Sequence, residues 1–401
     1  MEAELFEPDE YLDRTGPGYF SVLAKPNGDA RQKSYELSLL PDVIRSADPG
    51  VDTYITQATF KLPNRCKVNV RSVGLLFADL DTYQIDNLAK RPPEEQGNML
   101  IGFCNCEGIP PPSIILFSGR GLQAKWLLDE ALGPTSLYEW NAAQLALVKL
   151  LEPFAADIAA KDISRVLRLD QTVNTKSGKK VRVVHGVEGC LPRYAFEDLC
   201  KELVGRSQAQ KPKKPKAKSR KNVISLPAEI RFKRLNWYRL YDLRSLWKLR
   251  GGVPEGYREL TLFWEINFLM SAEPGKVSDL WREAETLAAQ IDPKAGWYAK
   301  SDLATLYRKA KEAKAGKTVT YNGEERSSLY TPKNQTLIEI FQITPDEERC
   351  MKTIISRQEK YRREIARRRA AGVKPRISRA DKPWEAEGIS RRTWYRRQKW
   401  H

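Results

Sequence analysis

Histidine is nearly absent from this chain: two in 401 residues, His185 and the terminal His401. That excludes paired-histidine metal sites of the HExxH kind and any two-histidine metal cluster of a rolling-circle nickase. A Ser-His-Asp triad would have to use His185, and no nucleophile elbow supports one. The six cysteines, at positions 66, 104, 106, 190, 200 and 350, include no CxxC pair. Cys104-Asn-Cys106 alone is a poor zinc half-site, so a reduced, cytoplasmic protein is expected. No run of 18 apolar residues occurs, so no membrane span is expected. The acidic start, MEAELFEPDE, lacks the apolar core of a secretory signal.

What is present is length and unevenly placed positive charge. A chain of 401 residues suits two or three domains. Its net charge of +17 is distributed as −5 over residues 1–205, +8 over 206–221, +1 over 222–348 and +13 over 349–401. A near-neutral body with two basic segments fits a polyanionic partner. Residues 205–222 (GRSQAQKPKKPKAKSRKN) hold little that could pack and read as a solvated Lys/Pro-rich linker open to phosphates.

Before the linker, residues 1–204 alternate strand and helix signals: strands over 68–81, 113–118, 123–128, 163–169 and 180–187, helices over 93–106 and 134–151. Several connections are too short for crossover helices, which predicts an α+β domain with a mixed, largely antiparallel sheet. Residues 223–343 become helical, over 257–272, 277–291 and 301–314, with Trp247, Trp264, Trp281 and Trp297 as expected core residues. Thr344-Pro345-Asp346-Glu347 is a capping box with proline at the first helical position, and a long basic helix is expected from there to about Ala371.

Three motifs carry possible chemistry. In LLFADLD (75–81), Asp79 and Asp81 share one face of a strand, where their mutual repulsion calls for a cation such as magnesium or manganese. The plainer alternative is a strand end turning into solvent. In LFSGRGLQAKWLLD (116–129), Gly119 and Gly121 free backbone amides for an anion, Ser118 adds a hydroxyl, Arg120 a guanidinium fork, and Gln123 and Lys125 alternate on the outgoing strand. A plain hairpin turn would need no ligand. In residues 154–184, Asp157 and Asp162 precede a strand bearing Arg165 and Arg168, followed by Asn174, Lys176, Lys179 and Lys180. This pattern reads either as structural ion pairs or as a third metal ligand beside phosphate-facing cations, the two kinds of group a two-metal phosphoryl transfer site needs.

In this order, hydrophobic-DxD, SGxG on a hairpin, then D…RxxR with N-x-K, the motifs resemble the archaeo-eukaryotic primase superfamily, and within it the plasmid RepB-type replication primases. The resemblance covers roughly residues 50–190. It implies a primase-type catalytic domain with Asp79, Asp81 and Asp157 as catalytic metal ligands for two divalent ions. It implies Ser118, Gly119, Arg120, Gly121, Gln123, Lys125, Arg165, Arg168 and Lys176 as the nucleotide-binding set. Many members carry a histidine where this sequence has Gln123, and a neutral amide donates to a triphosphate without bringing charge. The expected activity is a nucleotidyltransferase that makes short primers from nucleoside triphosphates on a single-stranded DNA template, with a replicative helicase as a further partner. Two alternatives remain: a non-catalytic origin-binding initiator, and a repair polymerase on the same fold.

The tail 344–401 completes the reading. Residues 382–401 suggest a short helix, a turn at Gly388, Ser390 as N-cap and a final basic helix, as in a helix-turn-helix. Arg391, Arg392, Arg396 and Arg397 would face DNA, with Trp394 and Ile389 packed inward. Arg362, Arg363, Arg367, Arg368 and Arg369 in the preceding helix would contact phosphates without sequence preference.

Overall fold

The computed structural model describes residues 7–187, 189–209, 228–272, 277–294, 296–321, 324–372 and 383–397. It divides into two compact units, Met1–Thr331 and Pro332–His401. In chain order the first unit contains β1 (Tyr19–Ala24), β2 (Arg31–Glu36), α1 (Leu40–Arg45), β3 (Thr53–Thr56), β4 (Thr59–Phe60), β5 (Val70–Leu80), α2 (Asp86–Ala89), α3 (Pro93–Cys106), β6 (Ile114–Phe117) and β7 (Leu122–Leu132). There follow α4 (Leu137–Leu150), β8 (Val166–Arg168), β9 (Val173–Asn174), β10 (Lys179–Lys180), β11 (Arg182–His185), β12 (Arg193–Tyr194) and α5 (Phe196–Ala209). The unit continues with α6 (Ala228–Leu249), α7 (Arg258–Ala272), α8 (Leu280–Ile291), α9 (Ala304–Lys314) and the hairpin β13 (Thr318–Tyr321) with β14 (Glu324–Ser327).

Ten strands form one sheet in the order β11-β6-β7-β5-β4-β1-β3-β8, with β2 beside β1 and β12 beside β7. Every pairing in it is antiparallel except β12 with β7. The α+β, largely antiparallel expectation therefore holds, and α3 and the β6–β7 hairpin form where the sequence places them. Strand 163–169 shortens to β8, because the Asp162 carboxylate accepts from Ser164 N and Oγ, both at 2.9 Å, and turns the chain before the strand begins. The sequence reading assigned no strands before residue 68, yet β1 to β4 supply one flank of the sheet.

β5 is the centre of this arrangement. Residues 72–78 are buried on both faces, which suits its unbroken apolar run. β7 pairs along one edge, from Val73↔Leu132 to Leu80↔Leu122. On the other edge β4 reaches only Ser72, so the remaining backbone groups need partners. α4 supplies them. Gln144 donates to Phe77 O at 2.6 Å and accepts from Phe77 N at 3.1 Å, and the Trp140 indole donates to Leu75 O at 2.8 Å. Beyond them residues 155–157 take over: Asp157 N donates to Asp79 O at 2.8 Å and Asp81 N to Ala155 O at 3.0 Å.

Helices α6 to α9 belong to the same unit. The Glu283 carboxylate, on α8, accepts from the backbone of Lys67 at 2.9 Å and Val68 at 3.1 Å, just before β5. Trp247 and Trp264 are buried as expected. Trp281 and Trp297 are only half-buried, because each leans on a surface neighbour, Tyr307 at 5.1 Å and Tyr298 at 5.4 Å between ring centres. Of the expected linker, residues 205–209 belong to α5, and 210–222 lie outside the described residues.

The second unit contains α10 (Asn334–Phe341), α11 (Pro345–Cys350), α12 (Arg357–Ala370), α13 (Pro383–Ala386) and α14 (Arg391–Arg397). The capping box forms at Thr344, whose N–H donates to the Glu347 carboxylate at 2.8 Å. The single long helix expected beyond it does not: the chain is extended at Met351, and α12 restarts with Ser356 as its cap, accepting from Glu359 N at 3.2 Å. In α12 four of the five cations expected to be open to phosphate, all but Arg369, are paired with glutamates of the same helix. Arg362 and Arg363 hold Glu359, and Arg367 and Arg368 hold Glu364, at 2.6 to 2.9 Å. In the tail, Ser390 Oγ accepts from Thr393 N at 3.1 Å, and Trp384 meets Trp394 edge-on at 6.2 Å.

Candidate active site

Asp79 and Asp81 lie at the end of β5, where strand alternation turns both toward one cleft of about 480 Å³. Arg120 and Gln123, from the β6–β7 turn and the strand leaving it, line the same cleft. Arg165 just before β8, Arg168 at its end and Lys176 beyond it line the cleft as well, with Asp162 beside them. The three sequence motifs thus meet in one place.

Asp157 arrives through the edge bonds that complete β5. A left-handed turn at Ala155 (φ 53°) sets Ala156 opposite Leu80 and Asp157 opposite Asp79. Its side chain, however, is occupied: the carboxylate receives Arg165 at 2.9 Å and Ala159 N at 2.8 Å. Among the described residues, no group of three or more His, Cys, Asp and Glu side chains is arranged to hold a metal ion. The expected three-carboxylate set is therefore present in backbone position but not gathered as ligands. What the structure offers a cation is the Asp79–Asp81 pair.

The charge state of that pair fits such a partner. Burial pushes Asp79 up to about 6; Arg165 opposes this, and Asp81 and Asp157 add to it. Asp81 is raised for the same reasons, burial first and then Asp157. Carboxylates held above their ordinary range by burial and by one another are the groups a divalent cation would return to the ionised state. Gln123 lies directly across the strand pair from Asp79 and hydrogen-bonds to it. Its buried Oε1 has no partner among the described residues, which leaves an acceptor beside the carboxylates.

The glycine loop proves to be built for packing. Gly119 (φ +88°) lies against Asn174, and a Cβ on Gly121 would collide with the Leu80 carbonyl. Asn174 Nδ2 donates to Ser118 O at 2.8 Å, locking the turn to the third motif. Ser118 Oγ is engaged with Gly121 across the turn, so the expected phosphate donor is taken up by the hairpin itself. Arg120 stacks on the Tyr83 ring, 4.0 Å from its centre, and its charge acts on Asp81.

Two expected nucleotide contacts need correction. Lys125 is fully buried, paired with Glu7 and 4.5 Å above the Tyr11 ring, and burial drives its pKa well down. The N-terminal segment covers this part of β7, so Lys125 cannot reach a ligand in the cleft. Arg168 lines the cleft but is ion-paired with Asp52, which also accepts from Thr175. Its guanidinium packs on Tyr54 at 4.8 Å, its cross-strand neighbour. It acts first as a structural cation.

Residues outside the sequence motifs complete the walls: Lys25, Tyr54, Arg65, Tyr83, and Asp279 with Arg282 from α8. Tyr83, two residues past Asp81, was within reach of a motif-based reading. Lys25 and Tyr54 belong to the unassigned β1–β3 flank. Arg65 and Arg282 have no local signature. With these included, seven cations and four carboxylates line the cleft, an excess of positive charge that suits a polyphosphate.

No family model matches the chain. A curated protein described as a replication protein, from Clostridium perfringens, is 29% identical over 331 residues, which is 82% of this chain and 73% of that protein. The primase-polymerase AEP domain of cyanophage S-2L aligns over 48% of this chain and 90% of its own, with 18% identity and a TM-score of 0.34. The catalytic domain of primase RepB′, solved in complex with initiator DNA, aligns over 50% and 94%, with 18% identity and a TM-score of 0.31. In sequence the chain is similar to a replication protein, and its three ordered motifs resemble those of the archaeo-eukaryotic primases.

Proposed function

We propose that this chain is a plasmid-type replication primase, a nucleotidyltransferase that joins nucleoside triphosphates on a single-stranded DNA template. The observation that carries the reading is the pair of mutually destabilised carboxylates, Asp79 and Asp81, in a cleft otherwise rich in cations. Arg120 and Lys176 would bind the triphosphate, Arg120 kept extended by its stack on Tyr83. Arg165, paired with Asp157, balances the carboxylates from one side. Gln123 fixes the Asp79 side chain and offers its open carbonyl to a hydroxyl or a bound water. A magnesium or manganese ion held by Asp79 and Asp81, with Asp157 next to them, would acidify the attacking 3′-hydroxyl and neutralise the departing pyrophosphate.

The tail provides DNA attachment in this reading. α13 and α14 would act as a helix-turn-helix, its inner face closed by Trp384 and Trp394, with Arg391, Arg392, Arg396 and Arg397 directed to duplex or single-stranded DNA, Arg391 while stacked on Trp384 and Arg397 in exchange for its pairing with Glu387. A rival reading, a non-catalytic initiator that binds an origin through this tail, draws on the engagement of Asp157 by Arg165. The experiment that separates them is primer synthesis. Wild-type protein, single-stranded DNA, labelled nucleotides and magnesium or manganese should yield short products, and Asp79→Ala or Asp81→Ala should reduce them to background. Undiminished synthesis by both variants would refute the proposed site. Absence of product from the wild type would favour the initiator.

A further inference from the structure

We propose that Arg65 and Arg282 form a phosphate-binding subsite of the cleft, and that Glu283 positions it by fixing α8 to the strand domain. The inference rests on the nucleotide reading of the cleft and assigns to the helical region a direct part in ligand binding.

Arg282 stands on the first turn of α8, more than 200 residues along the chain from Asp79, yet its side chain lines the same cleft. Its ion-pair contact is with Asp279, one turn away at 3.9 Å and only loosely held, while the adjacent Glu283 carboxylate is taken up by backbone N–H groups. Arg65 faces it. The Arg65 guanidinium donates to two neutral acceptors, Ser164 O and, at 3.0 Å, Gln32 Oε1. Burial lowers its pKa, and the charge of Arg282 lowers it further. The nearby Asp162 carboxylate is already engaged by Lys67 at 3.4 Å and by Ser164. Two guanidiniums thus share one region of the cleft without a carboxylate bonded to both. Such repulsion is what a bound phosphate relieves, with fork geometry to match.

The placement is enforced rather than incidental. Glu283, adjacent to Arg282 and only 1% exposed, accepts both backbone N–H groups of Lys67 and Val68. Burying a carboxylate is costly unless charge-assisted bonds of this kind compensate it. Thr286, one turn on, donates to Cys66 Sγ at 3.1 Å, beside Arg65 in sequence. One buried clamp therefore joins the segment carrying Arg65 to the helix carrying Arg282. Arg165 relates this pair to the carboxylates, since its charge acts on both Asp79 and Arg65.

The phosphate could belong to a nucleoside triphosphate or to a single-stranded DNA backbone, and two binding arms distinguish them. A fluorescent nucleoside triphosphate and a labelled oligonucleotide are titrated separately onto the full chain, with chelator and with magnesium. Arg282→Ala should weaken one of the two by about tenfold, Arg282→Lys should recover part of the loss, and thermal unfolding should not move because the side chain is exposed. If DNA is the occupant, the salt slope of binding should also fall by about one. Glu283→Gln, which keeps only one acceptor, should mimic Arg282→Ala, and the double variant should lose no more than Arg282→Ala alone. Unchanged affinity of Arg282→Ala for both ligands overturns the subsite, and additive losses in the double variant overturn the positioning role of Glu283. A wild type that binds neither ligand would defeat the nucleotide reading itself.

Discussion

Replacing Asp79 by asparagine should make the protein more stable at neutral pH while removing its ability to hold a cation. In the folded chain burial pushes the Asp79 carboxyl up to about 6, from an ordinary 3.8. The folded state therefore holds this proton over a pH range in which the unfolded chain has released it, and stability contributed by this group falls as pH rises from about 4 to 6. At 1.36 kcal/mol for each unit, the full penalty above pH 6 is about 3 kcal/mol, an upper figure because the side chain is partly open to the cleft. Asparagine keeps the shape and the hydrogen bond to Gln123 without the charge. In chelator at pH 8, Asp79→Asn should gain up to that amount in denaturant unfolding, or about 4 °C in a first unit of this size. Near pH 3.5 the gain should vanish, because both forms are then neutral. Magnesium should stabilise the wild type by mass action and leave the variant unmoved. A variant no more stable than wild type at pH 8, or a gain that persists undiminished in acid, would refute the account of this carboxylate as strained by burial.

Other expectations follow from single contacts. Arg120→Ala should lower nucleoside triphosphate affinity by about tenfold with little change in the unfolding midpoint, because the side chain stacks on the exposed Tyr83 ring; unchanged binding would remove it from the site. Gly121→Ala sets a methyl against the Leu80 carbonyl and should cost about 1–3 kcal/mol in urea unfolding, with the loss of order at Asp81 visible as weakened cation binding. Lys125→Met strands the buried Glu7 and should cost about 3–5 kcal/mol, while Lys125→Met with Glu7→Leu should recover most of it. A double variant as unstable as the single one would show that the Glu7 charge is not the cause.

The sheet domain was legible where a local pattern suffices. The apolar run of β5, the two glycines of the β6–β7 turn and the regular spacing of α3 and α7 each declare an element within a few residues. The β1–β4 flank escaped because its strands are short, two to six residues, and mix polar with apolar positions, β2 reading RQKSYE. Their identity comes from pairing partners rather than from propensity. The break at Met351 was hidden for the opposite reason. Two charged stretches, 345–349 and 357–369, flank a short, mostly apolar segment too brief to show a period, and the Ser356–Glu359 cap is the signal that could have placed the restart.

Gln123 and Lys125 show why the site was only partly readable. Strand alternation correctly puts both on one face of β7, and nothing local tells them apart. Gln123 lies opposite Asp79 and lines the cleft, whereas Lys125 lies opposite Phe77, two residues deeper, under the segment that carries Glu7 and Tyr11. The sequence separation between Glu7 and Lys125 is 118 residues, and that between Cys66 and Thr286 is 220. Pairings at such range are set by which surfaces the assembled sheet leaves uncovered. The same logic decides Asp157. Its motif position predicts a ligand, yet it reaches Asp79 only because β5 runs past the end of β4 and needs residues 155–157 to satisfy its open edge. Once there, the nearest cation is Arg165 from its own segment, so the carboxylate closes on it. Whether Asp157 serves a metal or a guanidinium is then a competition for one carboxylate. Removing Arg165 tests it: Arg165→Ala should raise cation affinity at Asp79 and Asp81 if Asp157 is released to join them. If Asp157 stays apart, only the loss of a neighbouring positive charge is felt, and adding Asp157→Asn to Arg165→Ala should then change the cation affinity little.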